Sequence, residues 1–172
     1  EQVYEINGFA DVVISTNNVG YYENEFVSYG GKIFKILSYT GTNRFYRLLD
    51  VVFGDILRQY KLIRIIKNNG PYELVHCNNG FQAGWCVFAA KLAGVKKRIS
   101  HIHDSFPKTN YFLLNLKRRI LGYYISAYST DILACSREAG ESVVSAGSFT
   151  VVTNSYDESL YNPTIYESHN DI

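Results

Sequence analysis

The stretch RISHIHDSF, residues 98–106, sets two histidines, an aspartate and a serine directly after an alternating apolar run and just before Pro107. Alternation with a period of two marks a strand, and a polar cluster ahead of a proline marks where the strand stops. The same grammar recurs on either side. YELVHC (Tyr72–Cys77) runs into Asn78-Asn79-Gly80, DILAC (Asp131–Cys135) into Ser136-Arg137-Glu138, and FTVVT (Phe149–Thr153) into Asn154. Each apolar segment therefore empties into a polar loop.

Helical patterns lie between these segments. Residues 43–69 carry apolar side chains at Leu49, Val52, Ile56, Tyr60, Ile63 and Ile66, a stripe expected to face a core, and NNGP (68–71) ends the run. GFQAGWCVFAAKLAG (80–94) reads as a small-residue helix able to lie close to its neighbours, Tyr111–Tyr128 as another, and Arg137–Val144 as a third with Ser136 as its N-cap. Upstream, ADVVIST (10–16) and KIFKIL (32–37) are strand-like, with Gly30-Gly31 stopping the polar segment between them. Such alternation predicts an α/β fold: a Rossmann-like parallel sheet with helices on both faces. In sheets of this kind ligands bind outside the carboxyl ends of the strands. The polar loops thus become the candidate site.

Composition narrows the function classes. The chain has 172 residues, 47% of them hydrophobic, with 15 tyrosines and a net charge of +1, enough for one domain with a sizeable core. Near-neutral charge argues against a nucleic-acid-binding surface. Cys77, Cys86 and Cys135 form no CxxC pair and are expected to be free thiols in a reducing compartment, hence a cytoplasmic location. No metal site is expected, because His101, His103 and Asp104 alone lack the room and a fourth ligand. No G-x-S-x-G elbow, G-x-G-x-x-G turn or phosphate loop is present. The chain contains no Met and begins at Glu1, so it is expected to be part of a longer polypeptide.

Each candidate has an ordinary structural reading beside the functional one. His101 is expected to pack on the sheet, bonded to a backbone carbonyl. His103, in a loop restrained by Pro107 with Asp104 and Ser105, is expected to diverge from it and to serve a reacting hydroxyl. Asn78 and Asn79 offer amides suited to sugar hydroxyls, or simply a strand-to-helix turn. Ser136 could sit at an anion site, although a plain N-cap is the stronger expectation. Gly84 is expected to serve close helix packing. YFLLNLKRRILGYYISAY gathers Asn115, Arg118, Arg119 and Gly122 on one stripe. That describes an ordinary covering helix with a basic outer edge, or a contact through Arg118 and Arg119 with anionic lipid at the inner face of the membrane.

YELVHCNN, AAKLAGVKKRISHIHDS, ACSREAGE and TVVTNSYDESLYNP, in this order and spacing, resemble the N-terminal domain of a GT-B glycosyltransferase of the large retaining family 4, of the capsular and exopolysaccharide-synthesis type. The likeness covers roughly residues 20 to 163. It implies two Rossmann-like domains across a cleft, with sugar passing from a nucleotide-sugar donor, held mainly by the other domain, to a saccharide or lipid-linked acceptor. No cofactor or metal is implied. His103 matches the family histidine that contacts the transferred sugar, Asn79 and Asp104 fall where acceptor or donor-sugar contacts are common, and Asn154 with Asp157 matches the link to the second domain; Asn78, Ser105 and Ser136 are expected as further acceptor or sugar contacts beside them. The implied division is residues 1–154 as the acceptor-side domain and 155–172 as the start of that link. Three departures stand out: the family's first strand and glycine-rich loop are not recognisable in Glu1–Phe9; the link reads NSYD, with Ser155 and Tyr156 in place of a glycine and an apolar residue; and the sequence runs only to Ile172, so the second domain is expected to lie outside it and this polypeptide alone is not expected to catalyse transfer. The alternatives to an enzyme domain are a standalone acceptor-binding subunit paired with a separate donor-domain chain, and an unrelated Rossmann-like binding domain.

Overall fold

The computed structural model describes residues 10–14, 20–36, 44–78, 80–107 and 109–154, and the side chains of these except 44–53. Among the described residues six strands and five helices alternate: β1 (Asp11–Ile14), α1 (Glu23–Ser28), β2 (Lys32–Lys35), α2 (Arg44–Asn69), β3 (Leu74–Cys77), α3 (Ala83–Leu92), β4 (Lys97–Ile102), α4 (Phe112–Tyr128), β5 (Asp131–Ala134), α5 (Arg137–Glu141) and β6 (Thr150–Val151). All described strand pairs are parallel: β1 with β2 in one sheet, and β3-β4-β5-β6 in another. The expected α/β architecture of parallel strands flanked by helices is what the chain adopts. Asn79 and residues 155–172, including Ser155, Tyr156 and Asp157, lie outside the described residues.

Register assigns every side chain of the larger sheet to a face. Cys77 pairs with Ser100, and Ile102 with Ala134. These four are buried, and Cys77, Ile102 and Ala134 pack with Ala83 and Val87 of α3, Ile125 of α4 and Ala139 of α5. The buried Ser100 hydroxyl is satisfied by Ser129 at 2.8 Å. His76 pairs with Ile99 and His101 with Leu133, so these four share the opposite face. A second core joins the two sheets: Val13 and Ile36 from the first meet Val75 of β3, Leu62 and Ile66 of α2, and Trp85 and Ala89 of α3.

Three elements differ from expectation. On α2 Ile63 and Ile66 of the expected stripe face the core with Leu62 beside them, whereas Ile56 and Tyr60 are 63% and 57% exposed and the side chains of Leu49 and Val52 lie outside the described residues. The helix is rotated because Asp55 and Arg58 turn partly inward, bonded to each other at 2.9 Å, and Asp55 meets Lys117 of α4 at 2.7 Å. The helix expected over 137–144 stops at Glu141, after which Val143 and Val144 turn back, each bonding the Gly140 carbonyl. The strand expected over 149–153 is reduced to Thr150–Val151.

Gly84 explains why α3 and α4 lie so close. A Cβ there would stand 2.4 Å from the Leu121 carbonyl oxygen, and one on Gly122 would stand 2.8 Å from that of Val143. Both contacts are with backbone, so neither site has room for a side chain.

Candidate functional site

The loops after β3 and β4 leave the same edge of the parallel sheet, and the first turns of α3 and α4 close over them. Between them lies a cavity of about 430 Å³. Its polar lining is Asn78, Gln82, Asp104, Lys117 and Arg118, and its apolar walls are Phe81, Phe106, Leu114 and Leu121. Asn78 follows β3 directly, Asp104 comes two residues after β4, and Gln82 ends the 3-10 turn that leads into α3.

Local chemistry fixes these parts. Gly80 has φ +49°, a conformation that side-chain-bearing residues rarely adopt, and a Cβ on it would strike the Phe106 ring at 2.4 Å. The glycine thus lets Phe106 seat against Phe81, at 5.1 Å between ring centroids. The loop carrying Asp104 is pinned twice: Phe106 N–H donates to the Ser142 hydroxyl at 3.1 Å, and Arg118 donates to the Pro107 carbonyl at 2.7 Å. The Arg118 guanidinium also lies 5.6 and 5.7 Å from the Phe81 and Phe106 rings, a cation–π contact with both. Further on, the Asn115 amide donates to the Thr109 carbonyl at 2.6 Å.

The other candidates divide. Ser136 is the N-cap of α5, accepting the Ala139 N–H at 3.1 Å. Ser105 and Asn154 are exposed. Arg119 is exposed too, while Arg118 belongs to the cavity. Asn79 and Asp157 are outside the described residues. His103 is not part of the cavity lining. Its ring lies 4.0 Å from that of His101, which in turn stacks on His76 at 5.5 Å, so the three imidazoles form a file on one sheet face.

The expectation that His101 and His103 diverge is corrected here. β4 does end at Ile102, but the next residue is held in line: Cys135 N–H donates to the Ile102 carbonyl at 2.9 Å and the Cys135 thiol to that of His103 at 3.1 Å. Nor is His101 tied to a carbonyl through Nε2, which is buried without a hydrogen-bond partner. Burial, and then the neighbouring His103, push the His101 pKa below its ordinary value; the same two causes lower that of His76. Among the described residues no group of three or more His, Cys, Asp or Glu could hold a metal ion.

Gln82, Lys117 and the two phenylalanines were not legible as site residues. The available signal was position alone: Gln82 lies at a strand-to-helix turn, and Lys117 one residue before an arginine assigned to another role.

Chemically the cavity pairs hydroxyl-binding groups (two amides and a carboxylate) with a fixed guanidinium over an aromatic floor. Comparison with known proteins supplies the family. The description "Glycosyltransferase Family 4" matches residues 11–160. The chain belongs to glycosyltransferase family 4. It is also similar to a protein named "Putative glycosyltransferase EpsF" from Bacillus subtilis (strain 168), with 31% identity over 131 residues, which are 76% of this chain and 31% of that protein. The family 4 chain therefore spans about a third of the length of that relative. No solved structure matches it significantly. The parallel α/β architecture agrees with a Rossmann-like half of the GT-B fold, and the cavity stands where such sheets hold ligands.

Proposed function

We propose that residues 1–154 form the acceptor-side domain of a retaining GT-B glycosyltransferase, and that 155–172 begin its link to a donor-binding domain. The enzyme moves a sugar from a nucleotide-sugar donor to a saccharide or lipid-linked acceptor in bacterial surface polysaccharide synthesis. The observation that carries this reading is the strand-end cavity of a family 4 chain, lined by Asn78, Gln82 and Asp104 beside the Arg118 guanidinium. Amides and a carboxylate can share the hydroxyls of a sugar as donors and acceptors. Arg118 offers a fixed fork to a phosphate or carboxylate on the same molecule. His103 stands one residue before Asp104, against His101, and is proposed to contact the transferred sugar.

The test is a panel of nucleotide-sugars and glycan acceptors offered to the full-length enzyme. With the active pair in hand, Asp104→Ala is expected to raise the acceptor KM, while His103→Ala is expected to lower kcat by about 10²-fold. Unchanged kinetics in both variants would overturn the assignment of this loop. Absence of sugar transfer across the panel would overturn the enzyme reading.

A further inference from the structure

α4 is turned the unexpected way round. At about 100° per residue, Leu121, Gly122 and Ile125 form its buried side, with Asn115 and Arg118 beside them. The opposite, solvent-facing arc carries Phe112, Leu113, Leu116, Ile120 and Tyr123, which are 75%, 76%, 43%, 48% and 64% exposed. An apolar arc of this width normally faces a core, yet this one faces solvent on the outside of the fold. Water is a poor neighbour for such a surface, and a contiguous patch of this kind marks an interaction site.

Charge selects the partner. From Phe112 to Tyr128 the helix contains Lys117, Arg118 and Arg119 and no acidic residue. Lys117 and Arg118 are engaged with Asp55 and Pro107, but Arg119 falls on the edge of the apolar arc, seven residues from Phe112 and four from Tyr123, and is exposed. A second copy docked face to face about a two-fold axis would bring Arg119 toward its own image, with no carboxylate on α4 to offset it. An anionic lipid surface instead meets Arg119 with phosphates while accepting the phenyl, leucyl and isoleucyl groups below its headgroups, with the tyrosine at the interface. At 17 residues α4 is long enough to lie on a bilayer, and no helix among the described residues is long and apolar enough to cross one.

We propose that the outward arc of α4 (Phe112, Leu113, Leu116, Ile120 and Tyr123, with Arg119) docks the protein on an anionic membrane surface. The same helix lines the cavity with Leu114, Lys117 and Arg118, so docking holds the cavity at the bilayer surface. The docking stands independently of sugar transfer. Its consequence, an acceptor delivered from the membrane, rests on the function proposed above.

The experiment is co-sedimentation of the full chain with vesicles of phosphatidylglycerol and phosphatidylcholine, against phosphatidylcholine alone. The wild type is expected to prefer the anionic vesicles. Phe112→Glu with Leu113→Glu is expected to lower the bound fraction about tenfold, and Arg119→Glu to abolish the preference. Both variants should melt like the wild type, because the replaced side chains are exposed. A wild type that ignores anionic vesicles, or a double variant that binds as well as the wild type, would overturn the proposal. So would a wild-type dimer in lipid-free ultracentrifugation that the double variant converts to monomers, since the arc would then be covered by a second copy. Loss of transfer activity with vesicle binding intact would count against the function proposed above and not against the docking.

Discussion

The His101 ring lies between His76 and His103 with its Nε2 buried and unpartnered, an arrangement that tolerates the neutral imidazole far better than the cation. Burial, and then the charge of the neighbouring rings, depresses His76 and His101 below 6.5. For a group whose pKa is lowered by folding, the unfolded chain binds the proton more readily. Stability is therefore full above the unfolded value and is lost as pH falls from about 6.5 through the lower folded value. His101→Phe keeps a flat ring in the file but removes the titration. Its melting temperature is expected to fall less than that of the wild type between neutral pH and about pH 5, and superimposable pH profiles would contradict this account. Part of the arrangement was legible: the alternation in RISHI puts His101 on one sheet face, and the strand does stop at Ile102. The course of residue 103 was not, because it is set by Cys135, which lies 32 positions further along the chain.

At the scale of the elements, the small residues carry the packing. The sequence suggested that Gly84 serves close approach, and the Leu121 carbonyl 2.4 Å from its missing Cβ supplies the reason. Gly84→Ala must separate α3 from α4, since the obstruction is backbone and cannot swing aside. Overpacking of this kind costs about 1–3 kcal/mol, and urea unfolding of the variant should show it as a lowered midpoint with little change in slope. A midpoint equal to that of the wild type would mean that the helices are free to part. α4 shows what periodicity leaves open. Its length and start were legible to within one residue, and so was the stripe through Asn115, Arg118 and Gly122. Which stripe faces inward was not, because a polar stripe normally belongs outside. Here the Val143 carbonyl needs the space at Gly122, while Arg118 and Asn115 find their partners in the 107–109 backbone.

For the whole molecule, the main question is how two separate sheets act as one body. Sequence could order the strands but not divide them, since the break depends on which edges remain unpaired. The shared core gives part of the coupling, through Val13, Ile36 and Val75 against α2 and α3. Among the described residues the polar part is a single contact: the Tyr72 hydroxyl, two residues before β3, donates to the Asp11 carboxylate at the head of β1, which also accepts the Lys32 N–H at 3.1 Å. Asp11 thus joins β1 to β2 and both to the larger sheet. Burial, and then the Asp11 carboxylate, push the Tyr72 pKa up to about 12, so the hydroxyl remains a donor throughout the physiological range. Tyr72→Phe keeps the ring in the shared core and leaves the carboxylate one donor short, a loss of about 1 kcal/mol. Because the contact spans the two sheets, its loss should be uneven. Amide exchange is expected to quicken in β1 and β2 while β3, β4 and β5 keep their protection. Equal acceleration in both sheets would show that they open together, held by the apolar core alone.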